Sequence, residues 1–151
     1  MIKDRHHLLP HLMTLLESAQ REIVISCSEA IMPLFDTDDA ISEMLRVARR
    51  APQTGLRVLL RQFEPVQFEG SRFMQSIQRI STKAECRLLE DHPGWRSETL
   101  VVVDEAEGFI VTHKTGRLTP LSERAQVRIQ LNRFITLWDA ARPAHEMRRL
   151  R

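Results

Sequence analysis

Apolar positions follow two rhythms along the chain. Over 6–20, Leu8, Leu12, Leu15, Leu16 and Ala19 recur on one face at helical spacing, and Pro10 fits the first turn of that helix. Residues 22–28, EIVISCS, are β-branched and apolar at successive positions, the pattern of a strand covered on both faces, with Ser26, Ser28 and Glu29 at its carboxyl end. After a connection containing Pro33, Asp36, Thr37 and Asp38 supply a cap and negative charge for a second helix running to about Arg50. Its inward stripe is Ile41, Met44, Leu45 and Ala48, and Pro52 and Gly55 stop it.

Residues 56–61, LRVLLR, predict a second strand, and the order strand, helix, strand predicts a parallel crossover. A loop, FEPVQFEG, follows at the carboxyl end, where open α/β sheets bind ligands; Phe63 and Phe68 are candidates for a lid or contact surface there, or simply hold the loop down. Phe73, Met74, Ile77 and Ile80 mark a third helix starting at Ser71, 85–90 a third strand, and 91–94 a turn. The stretch 96–114, RSETLVVVDEAEGFIVTHK, organises the rest. It reads as a buried strand ending in Asp104, an acidic hairpin connection over 105–108, and a strand ending in Thr112, His113 and Lys114. A loop over 115–119 leads to a last helix over 120–141, started by Pro120 and closed by Pro143. Its stripe is Val127, Leu131, Phe134, Ile135, Trp138 and Ala141. The pattern as a whole predicts an α/β fold: a single domain with a mixed sheet, flanking helices and a basic tail from about 143.

Composition narrows this little. The 151 residues amount to one domain, 42% apolar and 28% charged, and a net charge of +2 is too small to argue for nucleic acid. Cys27 and Cys86 fall in predicted strands without a CxxC, which suits small core thiols better than a disulfide or a metal pair. His7 and His11 are four apart, a metal-gripping spacing, but no acidic third ligand accompanies them, so solvated histidines are expected and no metal or cofactor is implied. No leader-like or membrane-spanning apolar run is present, which makes a reducing cytoplasm the expected setting. Arg61, Arg96, His113, Lys114 and Arg117 gather at predicted strand ends and adjoining loops, a set suited to a phosphate or carboxylate. Trp95 beside them is either an interface anchor or a core residue.

The segments EIVISCSEA, ISEMLRVARRAPQTGLRVLLR and KAECRLLE, then a strand ending in Asp, a turn, another strand and a helix with FITLW, together resemble one half of the phospholipase D superfamily. The segment HPGWRSETLVVVD and the terminal RRLR are similar to a bacterial domain of that superfamily that lacks the catalytic motif. The family's signature is His-x-Lys, four residues, then Asp. With Asp104 in the last place, the histidine position is Ser97 and the lysine position Thr99, neither of which can supply the nucleophile or the phosphoryl clamp. Where the family has a phosphate-contacting Gly-Ser, this chain has Thr112, His113 and Lys114, with Gly116 beyond. The resemblance thus implies a non-catalytic binding or interaction module for a phosphate-bearing ligand or a protein partner, paired as a homodimer. The alternative is a phosphodiesterase or nuclease with relocated chemistry, using His113 with Asp104.

Overall fold

The computed structural model describes residues 8–27, 32–61, 72–80, 82–90 and 92–143. The chain forms α1 (Leu8–Ser18), β1 (Ile23–Cys27), a 3-10 turn (Met32–Phe35), α2 (Asp38–Arg50), β2 (Leu56–Arg61), α3 (Arg72–Arg79) and β3 (Ala84–Leu89). It continues with β4 (Glu98–Val103), β5 (Glu107–Thr112), β6 (Leu118–Leu121), α4 (Arg124–Ala140) and β7 (Arg142–Pro143). The seven strands make one mixed sheet in the order β6-β5-β4-β1-β2-β3-β7. β1, β2 and β3 are parallel, and every other pairing is antiparallel. The α/β class and the mixed sheet with flanking helices therefore stand as expected.

Strand alternation divides the core in two. Ile23, Ile25, Cys27, Val58, Leu60, Val101, Val103 and Val111 face α1, α2 and α3. Val24, Leu59, Leu89, Leu100, Val102 and Leu121 face Val127, Phe134, Leu137 and Trp138 of α4. β1 sits at the centre with all five residues buried, as its continuous apolar run predicts. α2 begins where Thr37 Oγ1 accepts the Ala40 N–H at 3.2 Å, with Asp38 and Asp39 in its first turn. Val47, not Leu45, completes its buried face.

Three local expectations change. The acidic connection is shorter than 105–108. Asp104 and Glu105 both take φ of 55°, and the Ala106 N–H reaches the Val103 carbonyl at 3.0 Å, which closes a tight hairpin turn and leaves Glu107 and Gly108 in β5. Pro120 does not start the last helix. It lies in β6, a strand at the sheet edge, where a missing N–H removes no ladder bond on the solvent side. The helix starts at Arg124, with Gln126 Oε1 accepting the Glu123 N–H at 3.3 Å. Ile135 is 48% exposed and Leu137 is buried in its place, because the helix turns Phe134, Leu137 and Trp138 inward together. The tail, Phe63, Phe68, Ser28, Glu29 and His7 lie outside the described residues. Cys27 and Cys86 are unlinked, and burial pushes both thiols up, which makes them inert core groups.

Candidate anion-binding edge

The two ends of the β4–β5 hairpin have separate tasks. β4 runs against β1, so its start lies at the carboxyl edge of the parallel strands and Asp104 lies at the opposite edge. From Thr99 to Asp104 the strand advances five residues, roughly 17 Å. Asp104 Oδ1 accepts the N–H groups of Arg21 at 2.6 Å and Glu22 at 2.9 Å, and Oδ2 accepts that of Gln20 at 2.9 Å. Burial raises this carboxyl's pKa, but the three amide donors and the Arg21 charge outweigh it and hold the group below the usual carboxylate range. Asp104 thus clamps the α1–β1 connection, and it cannot act with His113. A cleft of about 350 Å³ opens beside it, lined by Gln20, Arg21, Glu22, Arg50, Thr54 and Glu105 among others. Burial and the neighbouring Glu105 push Glu22 upward there.

At the carboxyl edge, the His113 N–H donates to the Ser97 carbonyl at 3.0 Å, extending the ladder by one pair. This places His113 Nε2 at 2.7 Å from Thr99 Oγ1. Thr99 is fully buried and His113 half-buried. Burial lowers the imidazole's pKa. The folded state thus favours neutral His113, while the unfolded chain takes the proton at the ordinary value. Stability linked to His113 is therefore present above about pH 6.5 and is lost as pH falls below it. Glu22, shifted upward, acts in the opposite direction. Urea midpoints measured from pH 7.5 to 5.5 should show a steeper decline in the natural chain than in His113→Gln, and the difference between the two isolates the histidine.

The candidate cations share this edge but not one pocket. Arg61 ends β2, three strands from the β5 end that carries His113 and Lys114, roughly 14 Å across the sheet. Arg61 is half-buried; Arg96, Lys114 and Arg117 are exposed. His113 turns toward the face of α1–α3 with Thr99. Arg96 instead lines a small cleft on the α4 face with Ser26, Trp95, Glu98, Leu100, Gln130, Arg133, Phe134 and Leu137. Arg133 Nη1 donates to Gln130 Oε1 at 3.1 Å and lies 3.6 Å from Glu98 Oε1. Trp95 packs against the α4-side core. Ser26, Gln130 and Arg133 match no functional motif in the sequence taken alone. The available signal was the spacing of Gln130, Arg133, Phe134 and Leu137, which puts two polar residues beside the buried stripe.

A seven-stranded mixed sheet with helices on both faces and cations along its carboxyl edge defines an α/β protein with a candidate anion-binding rim. The chain belongs to the family described as Domain of unknown function (DUF7931), whose model matches residues 4–150. No curated protein matches it. Among solved structures it is similar to TrmBL2, described as an archaeal chromatin protein with a novel mode of DNA binding, with a TM-score of 0.63 at 16% identity. The match covers 91% of this chain and 51% of that one, so the chain spans about half the length of the protein it matches. At this identity the likeness shows the fold alone. Among the described residues no helix is long and apolar enough to cross a membrane, and no three His, Cys, Asp or Glu side chains gather as a metal set.

Proposed function

We propose that this domain is a non-catalytic, phospholipase D-like binding module whose carboxyl edge takes a phosphate-bearing ligand. The fate of the two reactive positions of the resembled motif carries this reading. Thr99 has no exposed surface and its hydroxyl is engaged by His113, while the Ser97 hydroxyl has no hydrogen-bonded base among the described residues. Cations still occupy the same edge. Bond breaking needs an activated nucleophile, whereas holding an anion needs donors and positive charge, and the cations at this edge support the second task.

A nucleic acid is one partner that presents such phosphates, and the DNA-binding protein of similar fold is in keeping with it. With a net charge of +2, attraction would come from this edge and not from the molecule's overall field. Pairing of two copies, implied by the same resemblance, would juxtapose two such edges.

Inorganic phosphate should raise the melting temperature by mass action on the folded state. Arg96→Gln and Lys114→Gln should each reduce that rise, and added salt should weaken it. No rise at millimolar phosphate, or a rise untouched by both variants, would remove the edge as the site.

A further inference from the structure

The cleft between β1, β4 and α4 has a feature the edge cations do not explain. Ser26 is 93% buried, at 7% exposure, in a wall otherwise made of Val24, Leu59 and Leu100. Its side chain lines the cleft, and its hydroxyl has no hydrogen-bond partner among the described residues. The hydroxyl opens onto the cleft and is not sealed in the core, so its partner is whatever occupies the cleft, water or a ligand oxygen.

The surrounding groups indicate what enters. Arg96 approaches from the loop before β4, and Arg133 and Gln130 from α4. Glu98 is the one carboxylate in the lining, and it lies beside Arg133. Two guanidinium groups against one carboxylate leave a single positive charge. The free space is about 30 Å³, room for one or two waters or for oxygen atoms of one oxyanion.

We infer that this cleft is an oxyanion subsite, in which one oxygen of a phosphate group accepts from Ser26 Oγ and the others from the Arg96 and Arg133 guanidinium groups. The inference rests on the anion-binding reading above and moves its centre from the His113 side of the sheet to the α4 side. The same chemistry arises from free phosphate, a terminal phosphomonoester or a chain phosphodiester.

Calorimetric titration with inorganic phosphate, 5′-phosphorylated oligothymidylate and its unphosphorylated counterpart separates those sources. Binding of the first two alone marks a monoester site, and binding of all three a diester-tolerant one. In either case Ser26→Ala should weaken phosphate binding about tenfold, and Arg133→Gln by more, while Arg128→Gln on the outer face of α4 leaves it unchanged. Ser26→Ala should also melt at or above the natural temperature, because it replaces a hydroxyl that no protein group pairs with an apolar side chain in a largely apolar wall. A lower melting temperature would show that the hydroxyl serves the fold and overturn the inference. Undiminished affinity in Ser26→Ala and Arg133→Gln would also overturn it, with the wider reading surviving if Lys114→Gln or Arg61→Gln loses binding. If the natural chain binds none of the three probes, both readings fall.

Discussion

Gly108→Ala is expected to lower the melting temperature by roughly 6–12 °C, because overpacking against rigid backbone costs about 3 kcal/mol and each kcal/mol shifts a domain of this size by about 2–4 °C. Gly108 lies in the middle of three strands, opposite Val102 on β4 and Leu121 on β6. A Cβ built there would sit 2.0 Å from the Val101 carbonyl oxygen and 2.9 Å from Val102 Cα. Both atoms are backbone, so no rotamer change relieves the clash and the hairpin must shift. The shift would also move the far end of β5, which carries His113 and Lys114. Differential scanning calorimetry reads the effect directly. A loss below about 2 °C would mean that β4 and β5 are not held at this separation.

Asp104→Ala should destabilise the domain by about 2–4 kcal/mol, the sum of three lost amide contacts, discounted for exposure, and the penalty of placing alanine in a left-handed conformation. Asp104→Asn should lose less, since asparagine tolerates that conformation and keeps one acceptor oxygen. The sign with pH follows from the lowered carboxyl pKa. The stabilisation is present above the ordinary aspartate value and is lost as pH falls through the folded value, so the natural chain should weaken in acid more steeply than Asp104→Asn. Phosphate binding should be unaffected in either variant at temperatures where it is folded. Loss of binding in a folded Asp104→Asn would contradict the assignment of Asp104 to the far edge.

On the proposed phospholipase D-like reading, this placement accounts for an aspartate at the motif's last position without the other two. Its carboxylate holds the α1–β1 connection to the hairpin, a task independent of what Ser97 and Thr99 do at the other end of the strand. From sequence alone Asp104 fits either the last place of a catalytic set or a turn-side carboxylate, because spacing along a strand says nothing about which end of the sheet each residue serves.

Strands with continuous apolar character were legible: LRVLLR marks β2 to the residue, and EIVISCS contains β1. The last helix was harder. Pro120 satisfies both the start of a helix and an edge strand, and only the pairing of Phe109 with Pro120 decides between them. Edge position was legible for Arg61, Arg96, His113 and Lys114, since each closes or adjoins a strand. Their division between two faces was not, because it depends on the parity of each strand and on the turn after Thr112. The cleft of Ser26 and Arg133 joins the first strand to the last helix, and no local pattern announces a contact between residues that far apart.

The central claim is that the domain holds phosphate without breaking a phosphodiester. It is tested most directly by incubating the purified domain with fluorescently labelled, 5′-phosphorylated oligothymidylate and reading both polarisation and the product gel. The account predicts saturable, salt-sensitive binding with the oligonucleotide intact at every time point. Absence of binding, or cleavage that disappears in His113→Ala, would contradict it.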